Sequence, residues 1–217
     1  RGSLLMTLQG IDISSNNNYL NLGYYTGQVV INKLTGGLSY YWKDNRTQDC
    51  INKGLCTGVY HFAHENGVVT NADNQAIFFY SQYKPFKNKV LPILDYEIAM
   101  NGKNFTFKDI QWITTFMQKF KALSGVNPVL YTSKDVILEN YMTDYLKDNN
   151  MLWFAQYANN IPTGWQSNPW TDKNEVDLNV IGQQYTSHGR IQGISGDVDL
   201  SIFYISRENW FKACKPD

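Results

Sequence analysis

The chain has 217 residues, long enough to bury a sizeable core in one domain and of a length at which single-domain barrels are common. Lys plus Arg and Asp plus Glu each number 19, so the formal net charge is zero and no electrostatic argument favours nucleic acid or an anionic membrane as a partner. Aromatic residues make up 15 %, led by 15 Tyr and 6 Trp, which serves cores and flat stacking platforms for sugars alike and so excludes neither.

Residues 1–5, opening Arg1-Gly2-Ser3, read as a tag remnant, with the native start expected at Met6. No signal peptide is visible, and no apolar run reaches the length of a transmembrane helix. From there short β-rich runs alternate with amphipathic stretches. The strand candidates are Gly10–Ile13, Val29–Ile31, Gly58–Ala63, Val90–Glu97, Pro128–Thr132, Leu152–Tyr157, Val180–Tyr185 and a short Val198–Leu200. Between them, a short helix after Arg46 ends at Gly54. Ala72, Ala76, Phe79, Tyr80 and Tyr83 recur at helical spacing, as do Ile110, Ile113, Phe116, Met117 and Phe120. Thr106 is placed to cap that second run and Gly125 to stop it, and Ser133 to cap a helix carrying Ile137, Tyr141 and Tyr145.

Strand followed by helix, repeated, implies parallel strands joined by crossovers. The early strands are apolar at successive positions, as strands covered on both faces are. Eight strand candidates therefore predict an irregular, flattened α/β barrel (TIM-barrel-like) with fewer than eight helices, since residues 158–179, with Pro162, Gly164, Trp165, Pro169 and Trp170, read as a long loop. The barrel is expected to occupy 6–211, with 212–217 a tail or the start of a linker to a wall-binding module.

In a parallel barrel functional residues sit at the C-terminal ends of strands. Three strand ends here bring four carboxylates to one mouth: Asp12, the Asp95/Glu97 pair, and Asp199. Residues i and i+2 of a strand face the same way, about 6.5–7 Å apart. Two carboxylates confined in a partly dry cleft raise each other's proton affinity, so one can stay protonated while its neighbour stays charged. Glycoside cleavage needs that division, a proton donor for the leaving oxygen and a negative group against an oxocarbenium-like centre. A lone DxE in a solvated loop would mean little; Leu91-Pro92-Ile93-Leu94 before it and Asp12 and Asp199 beside it give the pair its weight.

The motifs, in order, resemble those of glycoside hydrolase family 25 lysozymes. Gly10-Ile11-Asp12-Ile13-Ser14 is similar to their opening GxDxS, Gly58–Ala63 to their GxYHF strand, Pro92–Glu97 to their P-x-x-D-x-E strand, and Leu152–Tyr157 to their LWxAxY strand. Gln184-Tyr185-Thr186-Ser187, Gly193 and Asp199 resemble their closing QYT…G…D element. The resemblance implies an eight-stranded flattened barrel that hydrolyses the β-1,4 bond between N-acetylmuramic acid and N-acetylglucosamine. It implies Glu97 as general acid and Asp95 as charge stabiliser or as the group that orients the substrate's N-acetyl. It implies, too, that Asp12 and Asp199 complete the acidic floor. The family's KATEG-like segment reads Lys33-Leu34-Thr35-Gly36-Gly37 here, without the acid, which bears on local groove contacts; the Tyr40-Tyr41-Trp42 that follows is unusually aromatic.

Tyr60, Tyr131, Trp153, Tyr157 and Gln184, at or near strand ends, are candidate sugar contacts, with core or rim packing the competing reading. His61 is expected to be a structural hydrogen-bonding residue, because a carboxylic acid makes a histidine base unnecessary. No metal or cofactor is expected: no CxxC pair is present, and His61 and His64, three apart, point to opposite faces of a strand. A Cys50–Cys56 bridge is open to the sequence but not required by it. The expected partner is bacterial peptidoglycan, met as a monomer at the cell wall, either by a phage endolysin held in the host cytoplasm until release or by a secreted autolysin. A catalytically silent sugar-binding barrel would keep the aromatics and lose an acid. A chitinase-like barrel would carry a DxxDxDxE run, which is absent.

Overall fold

Nine strands form one sheet in the computed structural model, which describes residues 7–40, 45–65, 70–138, 151–172 and 179–216. They are β1 (Leu8–Ile13), β2 (Val29–Gly36), β3 (Ser39–Tyr40), β4 (Cys56–Phe62), β5 (Leu91–Asp95), β6 (Val129–Ser133), β7 (Leu152–Ala155), β8 (Val180–Gly189) and β9 (Val198–Phe203). Eight of them close a ring, β1-β2-β4-β5-β6-β7-β8-β9, sealed where β9 meets β1, and β3 folds back on β2 as a hairpin. The described helices are α1 (Arg46–Asn52), α2 (Ala72–Tyr83), α3 (Phe107–Ser124), α4 (Lys134–Leu138) and α5 (Arg207–Ala213). The irregular α/β barrel predicted from the alternation is thus present.

One direction differs. β1, β2 and β4 to β8 run parallel, but β9 is antiparallel to both β8 and β1. The connection from β8 to β9 is a short turn without a helix, and a short turn returns a strand beside its predecessor in the opposite sense. Asp199 consequently lies near the start of β9, and it is the reversal that brings it to the end where β1 and β5 finish.

The interior follows the two-residue period of strands. Leu8, Val29, Ile31, Leu91, Ile93, Val129, Tyr131, Trp153 and Phe203 form one buried cluster inside the ring. Phe203 fills the space beside Gly10 and Gly182: a Cβ on Gly182 would lie 2.5 Å from the Phe203 ring, and one on Gly10 2.8 Å from it. α5, for which the sequence reading had no counterpart, seals the opposite end of the barrel from the acids. Trp210 and Cys214 are fully buried in the same cluster, and the Trp210 indole donates to Thr57 O at 3.3 Å.

Outside the ring, α2 and α3 cover β4 to β6 with a second cluster that includes Phe79, Tyr83, Ile113, Phe116 and Phe120. α3 starts at Thr106, whose backbone N–H and hydroxyl both donate to Asp109, and it stops at Gly125 with φ 77°, as expected. The helix expected after Ser133 is α4, with Ile137 buried; Tyr141 and Tyr145 lie outside the described residues, as do Tyr41, Trp42 and residues 1–5. A third cluster, with Ile11, Ile13, Val30, Leu200 and Ile202, is covered by Leu20, Tyr25 and Trp165 from the loops. Cys50, Cys56 and Cys214 are all buried, and Cys56 and Cys214 are free thiols, so the Cys50–Cys56 bridge is not formed. Among the described residues no helix is long and apolar enough to cross a membrane.

Candidate active site

At the mouth the apolar interior gives way to acids. On β1 the inward series Leu8, Gly10 ends in Asp12; on β5 the series Leu91, Ile93 ends in Asp95; on β9 Phe203 and Ser201 lead back to Asp199. Asp12 and Asp199 are cross-strand partners in register. Glu97 follows Asp95 by two residues, and the residue between them points the other way. Tyr96 is fully buried against Trp112, His64 and Phe105, and its hydroxyl donates to Asp109 Oδ1 at 2.8 Å. The ladder continues through this stretch, with Ala63 N–H on Asp95 O and Tyr96 N–H on Tyr131 O, so the backbone under the acid pair is held from both sides.

Asp109 fixes what comes next. Its buried carboxylate accepts from Tyr96 Oη, Met100 N, Thr106 N and Thr106 Oγ1. Burial alone would raise its pKa, but these donors outweigh burial and hold it below the usual aspartate range. The loop leaving Glu97 is therefore pinned at its first turn.

All four mouth acids have raised proton affinity, in each case first from burial. Asp12 is pushed well up, next by the Asp199 charge, and it hydrogen-bonds Asp199 as the protonated partner. Asp95 is also pushed well up, next by Glu97 and Asp12, with the Lys33 charge opposing. Glu97, exposed at the lip, is raised next by Asp199, and Asp199 is raised while its bond to Asp12 and the charge of His188 oppose the shift. The sequence reading had Asp95 charged beside a protonated Glu97. In the structure burial raises the proton affinity of both, and each also feels at least one other acid of the mouth. A cluster of four titrates as a unit, so protons are shared among its members.

Gln184 ties the floor together. Its Nε2 donates to Asp12 Oδ2 at 2.8 Å, and its Oε1 accepts from Tyr131 Oη at 2.8 Å and from Tyr157 Oη. With that amide buried and its oxygen fully engaged, Gln184 orients Asp12; a free sugar contact is not left on its carbonyl. Tyr131 is likewise nearly buried under the floor. Trp153, another expected sugar contact, does not reach the mouth: it is 2 % exposed, stacks on Tyr131 and Phe203, and its indole donates to Ser201 Oγ. Tyr60 and Tyr157 remain half-exposed at the rim, and burial followed by the neighbouring acids pushes both phenols up.

Two features escaped sequence reasoning. Lys33, third in the inward series Val29, Ile31, Lys33, pairs with Glu65 at 3.0 Å and lies over the Phe62 ring. Glu65, from the segment after β4, also packs beside Gly37, so a carboxylate does stand by the acid-free Lys33–Gly37 segment. The alternation on β2 held the signal for Lys33; nothing local held it for Glu65. The second feature is Lys134. Buried at the end of β6, it binds Asp172, Thr171 Oγ1 and Gln156 Oε1, fastening the long loop after β7 to the rim.

His61 is structural, as expected. It is fully buried, with Nδ1 2.7 Å from Thr35 Oγ1 and Nε2 2.6 Å from Gln75 Oε1, and burial lowers its pKa to about 4. Among the described residues no group of three or more His, Cys, Asp or Glu is placed to hold a metal ion.

The family model described as Glycosyl hydrolases family 25 matches residues 11–194, which takes in all of the mouth except Asp199. The chain belongs to this family. Among relatives, the autolytic lysozyme of Clostridium acetobutylicum is 25 % identical over 206 residues, covering 90 % of this chain. A lysozyme of Streptococcus phage Cp-9 is 30 % identical over 155 residues, covering 69 % of this chain. The chain spans 56 % of the first relative's length and 44 % of the second's. Among solved structures, the bacterial lysozyme from Streptomyces coelicolor superposes with a TM-score of 0.74 at 25 % identity, over 95 % of this chain and 96 % of that one. Asp12, Asp95 and Glu97 fall within the matched residues and Asp199 just beyond them, and all four stand at one barrel mouth.

Proposed function

We propose that this family 25 domain is a muramidase, hydrolysing the β-1,4 bond between N-acetylmuramic acid and N-acetylglucosamine in bacterial peptidoglycan. The observation that carries the reading is the Asp95/Glu97 pair projecting from a rigid strand end over the Asp12–Asp199 floor. Glu97 is the general acid. It stands at the open lip, where a glycan can reach it, and burial and Asp199 favour its protonated form. Asp95 faces the sugar from below, either opposing the positive charge that develops at the anomeric carbon or holding the N-acetyl group in place as that group attacks it. In the first step the anomeric C–O bond breaks as Glu97's proton goes to the departing oxygen; in the second the Glu97 carboxylate takes a proton from the incoming water as the water oxygen bonds to the anomeric carbon.

The relatives' descriptions as lysozymes, one of them autolytic and one from a phage, support a cell-wall substrate. The test is release of reducing ends from purified peptidoglycan with chitin as the control. Cleavage of peptidoglycan alone is expected. Cleavage of chitin would favour the chitinase-like reading, and binding without cleavage the silent sugar-binding barrel.

A further inference from the structure

The β8–β9 hairpin shifts register twice, between Gln184 and Thr186 and again between Thr186 and Gly189. Thr186 pairs with Leu200 and Gly189 pairs with Val198, so Ser187 and His188 together face the single residue Asp199. Two residues opposite one is a β-bulge, a device that re-aims side chains beside functional sites. The bulge is braced: His188 N–H donates to Thr186 Oγ1 at 3.0 Å, His188 O accepts from Thr163 N–H, and Ser187 Oγ lies 3.2 Å from His188 Nδ1. His188 itself stays half-exposed at the mouth.

From this geometry we infer that His188 is a positioning residue of the acid quartet, a counter-charge set opposite Asp199 that keeps this one carboxylate ionised. The inference rests on the muramidase reading of the site. The charged groups around the pair are few. β1 supplies Asp12, which hydrogen-bonds Asp199; Glu97 and Asp95 stand on the β5 side, with Lys33 beyond Asp95; the turn between β8 and β9 supplies the Arg190–Asp197 ion pair at 2.9 Å, and Tyr157 borders the rim after β7. Burial opposes ionisation of Asp199, and two groups work against burial: the hydrogen bond from Asp12 and the charge of the His188 imidazole. An ionised Asp199 in turn accepts the Asp12 proton and raises the proton affinity of Glu97.

The test compares His188→Gln and His188→Lys in the whole protein, reading the pH profile of kcat/KM on peptidoglycan and, with no substrate present, the Asp199 carboxyl titration by ¹³C NMR. His188→Gln should move the Asp199 titration and the acid limb of the profile up by about half a unit to one unit, as loss of a nearby opposite charge does. His188→Lys should hold both at or below the wild-type position. An unmoved Asp199 titration in both variants overturns the proposal, as does a profile that is only scaled down. If His188→Gln unfolds, the direction of the His188→Lys shift decides. Inactivity of the wild-type protein on peptidoglycan would refute the muramidase reading and leave the NMR arm standing.

Discussion

Asp12 and Asp199 face each other across the antiparallel β1–β9 ladder, in register and sharing a hydrogen bond, with the protonated side chain on Asp12. The charge of Asp199 is also what raises Glu97, after burial. Asp199→Asn should therefore shift the alkaline limb of the kcat/KM profile to lower pH, by about one unit, because removing a negative neighbour lowers the proton affinity of the acid. A limb that stays in place or rises would show that Glu97 is tuned from elsewhere.

Glu97→Gln keeps the shape of the lip but cannot donate a proton. General acid catalysis is typically worth about 10²–10⁴-fold, so reducing-end release should fall at least that far. Activity near the wild-type level would remove Glu97 from its proposed role. If Asp95→Asn were also active, the glycosidase reading of the mouth would fail.

Gln184 holds Asp12, Tyr131 and Tyr157 with one amide. Gln184→Leu leaves two hydroxyls and a carboxyl short of a partner, and orphaned buried groups of this kind cost about 1–3 kcal/mol each. We expect the midpoint of urea unfolding to drop, with catalysis falling further than stability explains, since Asp12 loses its orientation. A variant as stable and as active as wild type would mean that water replaces the amide without loss.

His61 should give folding a measurable pH dependence. Its folded pKa of about 4 lies below the ordinary value near 6.5, so the unfolded chain binds more protons between these values. The neutral form's contribution is complete above about pH 6.5 and is lost as pH falls towards 4, up to about 3 kcal/mol. The raised mouth acids give the opposite slope, and they are common to wild type and variant. Thermal unfolding of His61→Gln across this range, set against wild type, should show a flatter fall on acidification. Parallel curves would contradict the assignment.

Gly182→Ala places a methyl 2.5 Å from the Phe203 ring, which is buried and cannot step aside. Overpacking of this kind costs about 1–3 kcal/mol. Gly164→Ala, whose Cβ would be 3.8 Å from its nearest neighbour, should leave the melting temperature almost unchanged. Equal effects from the two would be evidence that Phe203 has room to move.

Most of the barrel was legible because buried parallel strands write themselves as apolar runs, and because Thr106 and Gly125 mark the ends of α3 by their own chemistry. The carboxylates were legible because alternation puts Asp95 and Glu97 on one face. What could not be read was set by contacts distant in sequence. The reversal of β9 depends on the turn after β8; the burial of Trp153 depends on Tyr131, Ser201 and Phe203; Gln184 is committed by residues from three other segments. α5 was missed because within it only Trp210 is fully buried, with Cys214 just past its end, too few for a visible period.

The seam of the ring joins the first strand to the last, Leu8 opposite Phe203. Pairing partners so far apart in the chain costs loop-closure entropy before any contact repays it, and such topologies fold slowly. During synthesis on a ribosome β1 must wait beside β2 with one edge unpaired until β9 has emerged. The acid quartet cannot exist in any shorter nascent chain, so whatever chemistry the mouth performs is switched on only by the closing of the ring.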